Sequence, residues 1–312
     1  MQKNPQSPIP KYKSAFTLVE LSIVLVIIGL IVGGVLAGQD LIKSAQVRAQ
    51  IGQIQQYQMA VNTFKEKYNY LPGDMPSTEA EAVGFFRSTA PNNTGCSGYY
   101  ATGCGNGNEI IGNKSTWGMS GEQHLFWLDL SVAGFIPNSI KTFNYNNQST
   151  VISTYLPPAK LDGHYIYVWS GGISGKEYTN YLTISGIDKY CDIGFGYPGG
   201  GCNTSHTMAV SDAYNIDQKI DDGLPQSGNV MAIYIGYSGR TCGTGSATQA
   251  LWIGPSGGYA GGCWYAPATT AAVAGSDTTC YDNQSTSGQP QKYSMAQNGG
   301  AGRNCAISVK LR

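Results

Sequence analysis

Residues 16–38 read FTLVELSIVLVIIGLIVGGVLAG, an apolar stretch that contains a single charged residue, Glu20. A helix of this length extends for about 35 Å, which is enough to cross the hydrocarbon core of a membrane, about 30 Å thick. Within that core, a helix satisfies its own backbone hydrogen bonds. The stretch therefore predicts a membrane-spanning helix over residues 16–38.

A short leader, residues 1–15, precedes the span and carries Lys3, Lys11 and Lys13 but no acidic residue. Lysines beside a span favour the cytoplasmic side, so we expect the C-terminal bulk of the chain outside the cytoplasm. The alternatives are an ordinary signal peptide or a plain signal anchor. An ordinary signal peptide is disfavoured because its apolar region is shorter, and because a helical pattern continues directly after Gly38.

Glu20 is unusual because an ionised carboxylate inside a membrane costs roughly 2.5–3.5 kcal/mol at the centre of a span, and less near the interface. The apolar stretch contains no Lys or Arg that could neutralise this charge. We therefore expect Glu20 to find its partner on another subunit, and a free α-amino group would serve.

The segment Lys13-Ser-Ala15, followed by Phe16-Thr-Leu-Val-Glu20-Leu and the apolar run, resembles the type IV prepilin family, which includes the pseudopilins of type II secretion. The resemblance implies that prepilin peptidase cuts between Ala15 and Phe16 and methylates the new N-terminus at Phe16. It also implies that Glu20 pairs with the N-terminal amine of a neighbouring subunit during assembly. The chain departs from the family at Ala15, where Gly is usual.

The resemblance implies a non-enzymatic structural subunit of a type IV pilus or a type II secretion filament, without a cofactor. Its expected partners are prepilin peptidase, other pilin or pseudopilin subunits and the inner-membrane assembly platform. The expected location is the bacterial inner membrane, with the C-terminal domain outside the cytoplasm, and then an extracellular or periplasmic filament. An alternative is a minor tip pilin that binds a surface, a glycan or a secreted substrate through its large outer domain. The 21 Tyr and 5 Trp of the chain would suit such a contact.

The composition is that of a loop-rich extracellular domain. Charged residues make up 12% of the chain, about half the usual share, and Gly occurs 42 times. From Leu71 onward, the sequence contains twelve Lys or Arg and sixteen Asp or Glu, so this region carries a net charge near −4. Because a nucleic-acid surface needs a basic face, we expect no nucleic-acid partner.

The eight cysteines all follow the span, on the side expected to be oxidising, so four disulfides are predicted. Sequential pairing is the simplest arrangement among the 105 alternatives. A pair near the C-terminus is also common in pilins. Zinc is disfavoured because the chain has no Cys-x-x-Cys pattern. The sequential pairs are Cys96–Cys104, Cys191–Cys202, Cys242–Cys263 and Cys280–Cys305.

The apolar periodicity continues beyond the membrane span and predicts one helix from residue 16 to about residue 70, with a transmembrane part (16–38) and an amphipathic part (39–70). Pro72 and Gly73 end this pattern. The polar face is predicted to include Gln50 and Gln53. Residues 71–312 are predicted to form the outer domain, so the expected fold is α+β and pilin-like, with the long helix packed on a disulfide-rich antiparallel β domain.

Within the outer domain, three shorter helices and five strands are predicted. The first helix covers residues 77–82, with Thr78 and Glu81 at capping-box spacing. The second runs from Ser120 to Gly134, and the third runs over 212–222 with Ser211 as its cap. The predicted strands are 164–169, 181–185, 230–237, 250–253 and 306–311.

Asp217 and Asp221 are spaced one helical turn apart in the third of these helices. Two carboxylates and a loop carbonyl can hold Ca²⁺, which prefers oxygen ligands, and some pseudopilins bind calcium. The alternative is an ordinary helix with solvated acids, near Lys219, that packs Ile216 and Ile220 inward. Motifs that resemble a hydrolase elbow (254–258) and a dinucleotide fingerprint (194–199) both lack the helix that those sites require, so we expect no enzyme.

Overall fold

The computed structural model of the chain describes residues 17–85, 87, 105–111, 122–137, 139–140, 151–171, 179–186, 208–225, 227–234, 280–282, 292–295 and 305–311. The chain divides into two compact units, Met1–Ala45 and Gln46–Arg312. The architecture is α+β, as predicted, with a long N-terminal helix and an antiparallel sheet.

Four α-helices, one short 3₁₀ helix and six strands occur in the described residues. The helices are α1 (Leu18–Tyr68), α2 (Ser77–Ala82), α3 (Glu122–Val132) and α4 (Val210–Ile220), with the 3₁₀ helix at Ile152–Thr154. The strands are β1 (Tyr165–Gly171), β2 (Thr179–Ser185), β3 (Val230–Tyr234), β4 (Tyr281–Asp282), β5 (Lys292–Tyr293) and β6 (Cys305–Lys310).

Helix α1 is continuous over 51 residues, which confirms the predicted long helix. It ends where Asn69 adopts a left-handed conformation (φ 60°), three residues before Pro72. The predicted apolar stripe faces the core of the second unit, because five of its seven side chains are buried and the other two are half-buried. The buried members are Val47, Ile54, Tyr57, Val61 and Phe64, and the half-buried ones are Ile51 and Tyr68.

The predicted polar face of α1 is wrong at two positions, because Gln50 and Gln53 are buried. Each amide bonds to a backbone group of a distant segment. The amide nitrogen of Gln53 donates to the Pro158 carbonyl at 2.9 Å, and the Lys160 N–H donates to Gln50 Oε1 at 2.7 Å. These hydrogen bonds offset much of the cost of burying the two polar groups.

The main sheet has four antiparallel strands in the order β1-β2-β6-β3, and β4 and β5 form a separate two-stranded ladder. Strand alternation places apolar side chains such as Ile166, Leu182 and Ile307 on one face. Thr183 and Ser308 lie on the other face, where their hydroxyls bond each other at 2.7 Å. Residues on both faces are buried, so the sheet is an inner layer of the domain.

The predicted Cys280–Cys305 disulfide is confirmed, with a Cα–Cα distance of 5.1 Å. Both cysteines are buried. The bond connects the start of β4 to the start of β6 and so ties the small ladder to the main sheet. The other six cysteines lie outside the described residues, and their pairings stay predictions.

Replacing both Cys280 and Cys305 by Ala should lower the free energy of unfolding by roughly 3 kcal/mol, because the bond restricts the unfolded chain. Its sequence separation is 25 residues. Denaturant unfolding under oxidising conditions measures the loss. Equal midpoints for the variant and the wild type would contradict the prediction.

Two predicted helix caps are wrong. In α2, Pro76 occupies the N-cap position with φ −54°, so Thr78 lies inside the helix and its hydroxyl bonds Glu79 at 2.5 Å. In α4, the N-cap is Ala209, so Ser211 lies within the first turn. Each helix begins one residue before the predicted polar cap and uses no side-chain cap.

Four strand predictions are confirmed in position by β1, β2, β3 and β6. The predicted strand at 250–253 and the end of the predicted 230–237 strand lie outside the described residues. The third predicted helix ends at Ile220, earlier than expected, because Asp221 leaves the helical conformation (φ −145°, ψ −131°).

A buried ion pair connects Arg87, which follows α2, to Asp129 of α3. The Arg87 guanidinium donates two hydrogen bonds to the Asp129 carboxylate, both at 2.8 Å, and the exposed fractions of the two side chains are 0% and 1%. The Gly73 N–H also donates to Asp129, at 2.8 Å. Gly73 has φ +81°, and a Cβ atom there would lie 2.2 Å from the Glu122 carbonyl, so only glycine fits this approach.

Asp74 holds the segment 105–111 through hydrogen bonds to its backbone. Its carboxylate accepts hydrogen bonds from four consecutive backbone N–H groups, at distances from 2.7 to 3.4 Å. A carboxylate enclosed by such a row of N–H groups is the usual ligand of a backbone nest. The donors are Asn106, Gly107, Asn108 and Glu109.

Candidate functional site

Thr17 and Glu20 cap each other at the start of α1. The N–H and the hydroxyl of Thr17 both donate to Glu20 Oε2, each at 2.8 Å. In return, the Glu20 N–H donates to Thr17 Oγ1 at 3.2 Å. This is a capping box, and the spacing Thr17-Leu-Val-Glu20 is the same signal that the sequence carries at Thr78 and Glu81.

The capping box fixes the first turn of the helix and orients the Glu20 carboxylate. Both hydrogen bonds to the carboxylate use Oε2, and in the described part of the chain Glu20 forms no ion pair. The predicted processing residues, Ala15 and Phe16, lie outside the described residues. The cut, the methylation and the role of Glu20 in assembly therefore stay predictions.

The N-terminal part of α1 exposes an unusually apolar surface. An 18-residue window of this helix has a mean hydropathy of 2.7 and none of it is buried. Sixteen Val, Leu and Ile side chains between Leu18 and Ile42 are at least half exposed, and Leu18 is 85% exposed. Soluble monomers rarely expose so large an apolar surface. By length and composition, the helix can cross a membrane.

The glycines of this segment have no role in packing within the described chain. A Cβ atom placed on Gly29, Gly33, Gly34 or Gly38 would meet no atom within 4 Å. Each Gly also lowers helix propensity by about 1 kcal/mol relative to Ala. Small residues in spanning helices allow close approach of another helix.

A second group of functional candidates lies at the end of α4, where oxygens of Asp217, Asp221 and Asp222 come within 4.8 Å of one another. The sequence predicted that Asp217 and Asp221 would share one helix face. Instead, Asp221 caps the C-terminus of α4, and Asp222 joins the group from the following turn. The first carboxylate is fully buried, the second is partly exposed and the third is exposed.

All six carboxylate oxygens of this group accept hydrogen bonds from the protein. Asp217 accepts from the Tyr293 hydroxyl at 2.7 Å and from the Gly223 N–H at 3.2 Å. The donors to the other two carboxylates come from the turn between α4 and β3. Asp221 accepts from Asn229 and Val230, and Asp222 accepts from Leu224 and Ser227.

The pKa of Asp217 is raised to about 7, chiefly by burial and also by the nearby carboxylates Asp222 and Asp221, although the hydrogen bonds from Tyr293 and Gly223 oppose the shift. The predicted alternative of solvated acids is therefore wrong for Asp217. Its partner Tyr293 is 76 residues away in sequence, so no local pattern could have identified it. Calcium binding at Asp217 and Asp221 stays a prediction, and the ion would have to displace these donors.

Replacing Asp217 by Asn should flatten the dependence of stability on pH. The folded carboxyl has a raised pKa, so it binds its proton more tightly than the unfolded chain does. The contribution of Asp217 to stability is therefore greatest below about pH 4, falls as the pH rises to about 7, and is absent above that pH. The size of this change is roughly a few kcal/mol.

Thermal midpoints of the full chain in detergent, measured from pH 4 to pH 8, test this expectation. Glu66→Gln is the matched control, since it removes an exposed acid of α1 and should keep the wild-type profile. A variant at Asp217 that keeps the wild-type pH dependence would refute the assignment. Added Ca²⁺ in the same scans tests the calcium prediction, which requires a higher midpoint in the wild type alone.

Comparison with known proteins identifies the N-terminal segment. Residues 10–36 match the family model of the prokaryotic N-terminal methylation motif, the prepilin-type cleavage and methylation signal of type IV pilins and pseudopilins. The resemblance seen in the sequence is thereby confirmed. No curated protein and no solved structure matches the chain.

The motif and the apolar helix support three general statements. The chain carries the signal of a prepilin peptidase substrate. The motif implies processing by that peptidase and assembly with pilin subunits. The apolar helix, together with the motif, indicates that the chain is anchored in a membrane.

Proposed function

We propose that the chain is a non-enzymatic structural subunit, a pilin or pseudopilin, of a type IV pilus or a type II secretion filament. The observation that carries the proposal is that the matched motif, residues 10–36, includes the start of an exposed apolar helix whose first turn contains Glu20. Prepilin peptidase cuts the chain between Ala15 and Phe16 and methylates Phe16. The helix then passes from the membrane into the core of the filament.

Assembly follows from the two properties of this helix. Its apolar side chains leave the lipid only for another apolar environment, which neighbouring helices provide. The four glycines allow those helices to approach closely. The Glu20 carboxylate pairs with the N-terminal amine of a neighbouring subunit, and this contact sets the register because an unpaired buried charge would be costly.

Thr17 orients the Glu20 carboxylate for this contact through hydrogen bonds to Oε2. While the chain is a single anchored subunit, the capping box supplies two donors to Oε2 and so reduces the cost of the carboxylate in the membrane. The other oxygen, Oε1, then receives the amine of the neighbour. In this proposal the inner-membrane assembly platform brings the two subunits together, with the outer domain outside the cytoplasm and later in an extracellular or periplasmic filament.

Mass spectrometry of the mature N-terminus tests the proposed processing. We expect an N-terminal N-methylated Phe16, and loss of this species in a host without prepilin peptidase. A mature chain that starts beyond residue 38 would indicate an ordinary signal peptide and would refute the proposal.

The second candidate is a minor tip subunit that binds a surface, a glycan or a secreted substrate. The size of residues 71–312 favours it, since a large domain is hard to repeat along a filament. The abundance of Tyr does not add to it in the described part of the chain, where every Tyr of known burial is buried or half-buried. The copy number in purified filaments separates the two: one or a few per fibre favours the tip.

A further inference from the structure

The ladder formed by residues 280–282 and 292–295 has little structure of its own. In the described residues it has two paired positions, and one of them joins Tyr281 to Tyr293. The Ser294 N–H adds a hydrogen bond to the Cys280 carbonyl at 3.0 Å. Because even a complete two-stranded hairpin is marginally stable in water, the ladder depends on its attachments to the rest of the domain.

The described residues show one attachment at each strand of the ladder. Cys280, directly before β4, is bonded to Cys305 at the start of β6. From β5, the Tyr293 hydroxyl donates to Asp217 Oδ2 at 2.7 Å, and the Tyr293 ring meets the Tyr214 ring edge to face, with the centroids 5.7 Å apart. Asp217 and Tyr214 both lie on α4, so one strand is tied to β6 and the other to α4.

The two anchoring elements, β6 and α4, are themselves joined. Cys305 and Met208 exchange two backbone hydrogen bonds, of 2.8 and 3.1 Å, and Met208 lies two residues before α4. The contacts thus form a closed ring through Cys305, α4, Asp217, the ladder and the disulfide. Since the two attachments lie one residue pair apart in the ladder, a movement that opens one of them displaces the other.

Both attachments are buried while the ladder is closed. The exposed fraction is 0% for both cysteines and for Asp217, and 7% for Tyr293. Thiol–disulfide exchange requires that the attacking thiolate reach one of the two sulfurs. The ladder therefore has to move away before the disulfide can be reduced, and this movement also separates Tyr293 from Asp217.

We propose that the ladder opens as one unit, so that the Cys280–Cys305 disulfide is reduced only when the contact between Tyr293 and Asp217 has broken. The reductant is a thiol or a dithiol from outside the protein. One thiolate attacks a cysteine sulfur to give a mixed disulfide, and a second thiolate resolves it. The reductant leaves as a disulfide after giving up two electrons, and Cys280 and Cys305 take up two protons as thiols.

Protonation of Asp217 favours the closed ladder. An exposed Asp titrates near about pH 4, whereas burial raises the pKa of Asp217 to about 7 in the closed ladder. The closed form therefore holds a proton that the open form releases, and opening becomes easier as the pH rises from about 4 to about 7. Below this range both forms carry the proton, and above it both are ionised, so opening no longer depends on this group.

Titratable groups surround Asp217 on several elements. The two acids of the following turn, Asp221 and Asp222, raise its pKa, and the hydrogen bond from Tyr293 lowers it. Replacing Asp217 by Asn leaves all of these groups in place, so a comparison with the wild type isolates the one carboxyl. The same elements also carry Asp212, Tyr214 and Lys219 on α4, Tyr281, Asp282 and Lys292 on the ladder, Tyr234 on β3, and Cys305 and Lys310 on β6.

Reduction of the full chain in detergent by the phosphine TCEP, from pH 5 to pH 8, tests the proposal. The phosphine is oxidised to its oxide with an oxygen from water, and the disulfide takes up two electrons and two protons. New thiols are alkylated, and the peptides that contain Cys280 and Cys305 are quantified by mass spectrometry. The ratio of the wild-type rate to the Asp217→Asn rate should rise about a hundred-fold over this range. A constant ratio would overturn the proposal.

A second pair of variants tests the contact without changing the carboxyl. Tyr293→Phe keeps the ring but removes the donor to Asp217, so it should speed reduction about ten-fold at pH 8. Tyr214→Phe is the matched control, because it keeps the ring that packs on Tyr293 and should keep the wild-type rate. A wild-type rate in Tyr293→Phe would show that the disulfide opens independently of this contact and would overturn the proposal. None of these rates depends on processing at Phe16, so the test is independent of the proposed function.

Discussion

Replacing Glu20 by Ala is expected to lower incorporation into filaments about a hundred-fold or more, while insertion into the membrane stays at the wild-type level. Without the carboxylate, the N-terminal amine of the neighbouring subunit is left as an unpaired charge in the filament core. Breaking a buried pair in this way costs about 3–5 kcal/mol, and each 1.4 kcal/mol is a factor of ten. Sheared filaments and membrane fractions from the same cells, compared by immunoblot, give the two quantities.

Two further variants separate the charge of Glu20 from its role as a helix cap. Glu20→Gln keeps an oxygen for the Thr17 donors but loses the charge, so it should start the helix normally and still assemble poorly. Ser22→Ala is the matched control, because it removes only a local bond from the Ser22 hydroxyl to the Val19 carbonyl. Wild-type incorporation of the Ala variant would refute the proposed role of Glu20.

Replacing Arg87 by Met should destabilise the domain by about 3–5 kcal/mol, because it leaves the Asp129 carboxylate buried without its counter-charge. The remaining Gly73 N–H cannot compensate a full charge. Denaturant unfolding of the full chain in detergent measures the effect, with the midpoint falling and the slope unchanged. A loss below 1 kcal/mol would contradict the buried pair.

Two controls make this result specific. The double variant Arg87→Met with Asp129→Leu removes both charges and should recover much of the stability, since apolar replacement of a whole buried pair is often neutral. Lys65→Met breaks the exposed pair of Lys65 with Glu109, in which the side chains are 44% and 65% exposed, and should cost less than 1 kcal/mol.

Local patterns in the sequence were sufficient to predict the long helix and most of the strands. The apolar positions from Val47 to Tyr68 predict the outer part of α1, because their spacing matches a helix with one buried face. Pro72 predicts where this helix ends. The Gly134 stop after α3 is equally local, since that residue adopts φ +73°. Such features depend on residues a few positions apart.

The errors come from contacts between residues that are far apart in the chain. Gln50 and Gln53 look like solvent-facing residues, yet inside the domain one end of each amide bonds to a backbone group more than a hundred residues later. Asp217 looks like a solvated acid until Tyr293 reaches it from β5. The two caps differ from the prediction for another reason: the backbone is already helical at Thr78 and Ser211, so neither side chain is at the N-cap position.

The order of strands in the main sheet has a consequence for how the chain is made. β6 pairs with β2 on one side and with β3 on the other, and the contact between Thr183 and Ser308 spans 125 residues. During synthesis, β1 and β2 can pair early, whereas β3 has no partner in the described sheet until residues 305–310 appear. A nascent or truncated chain without them exposes two unpaired strand edges, the surfaces that aggregate most readily.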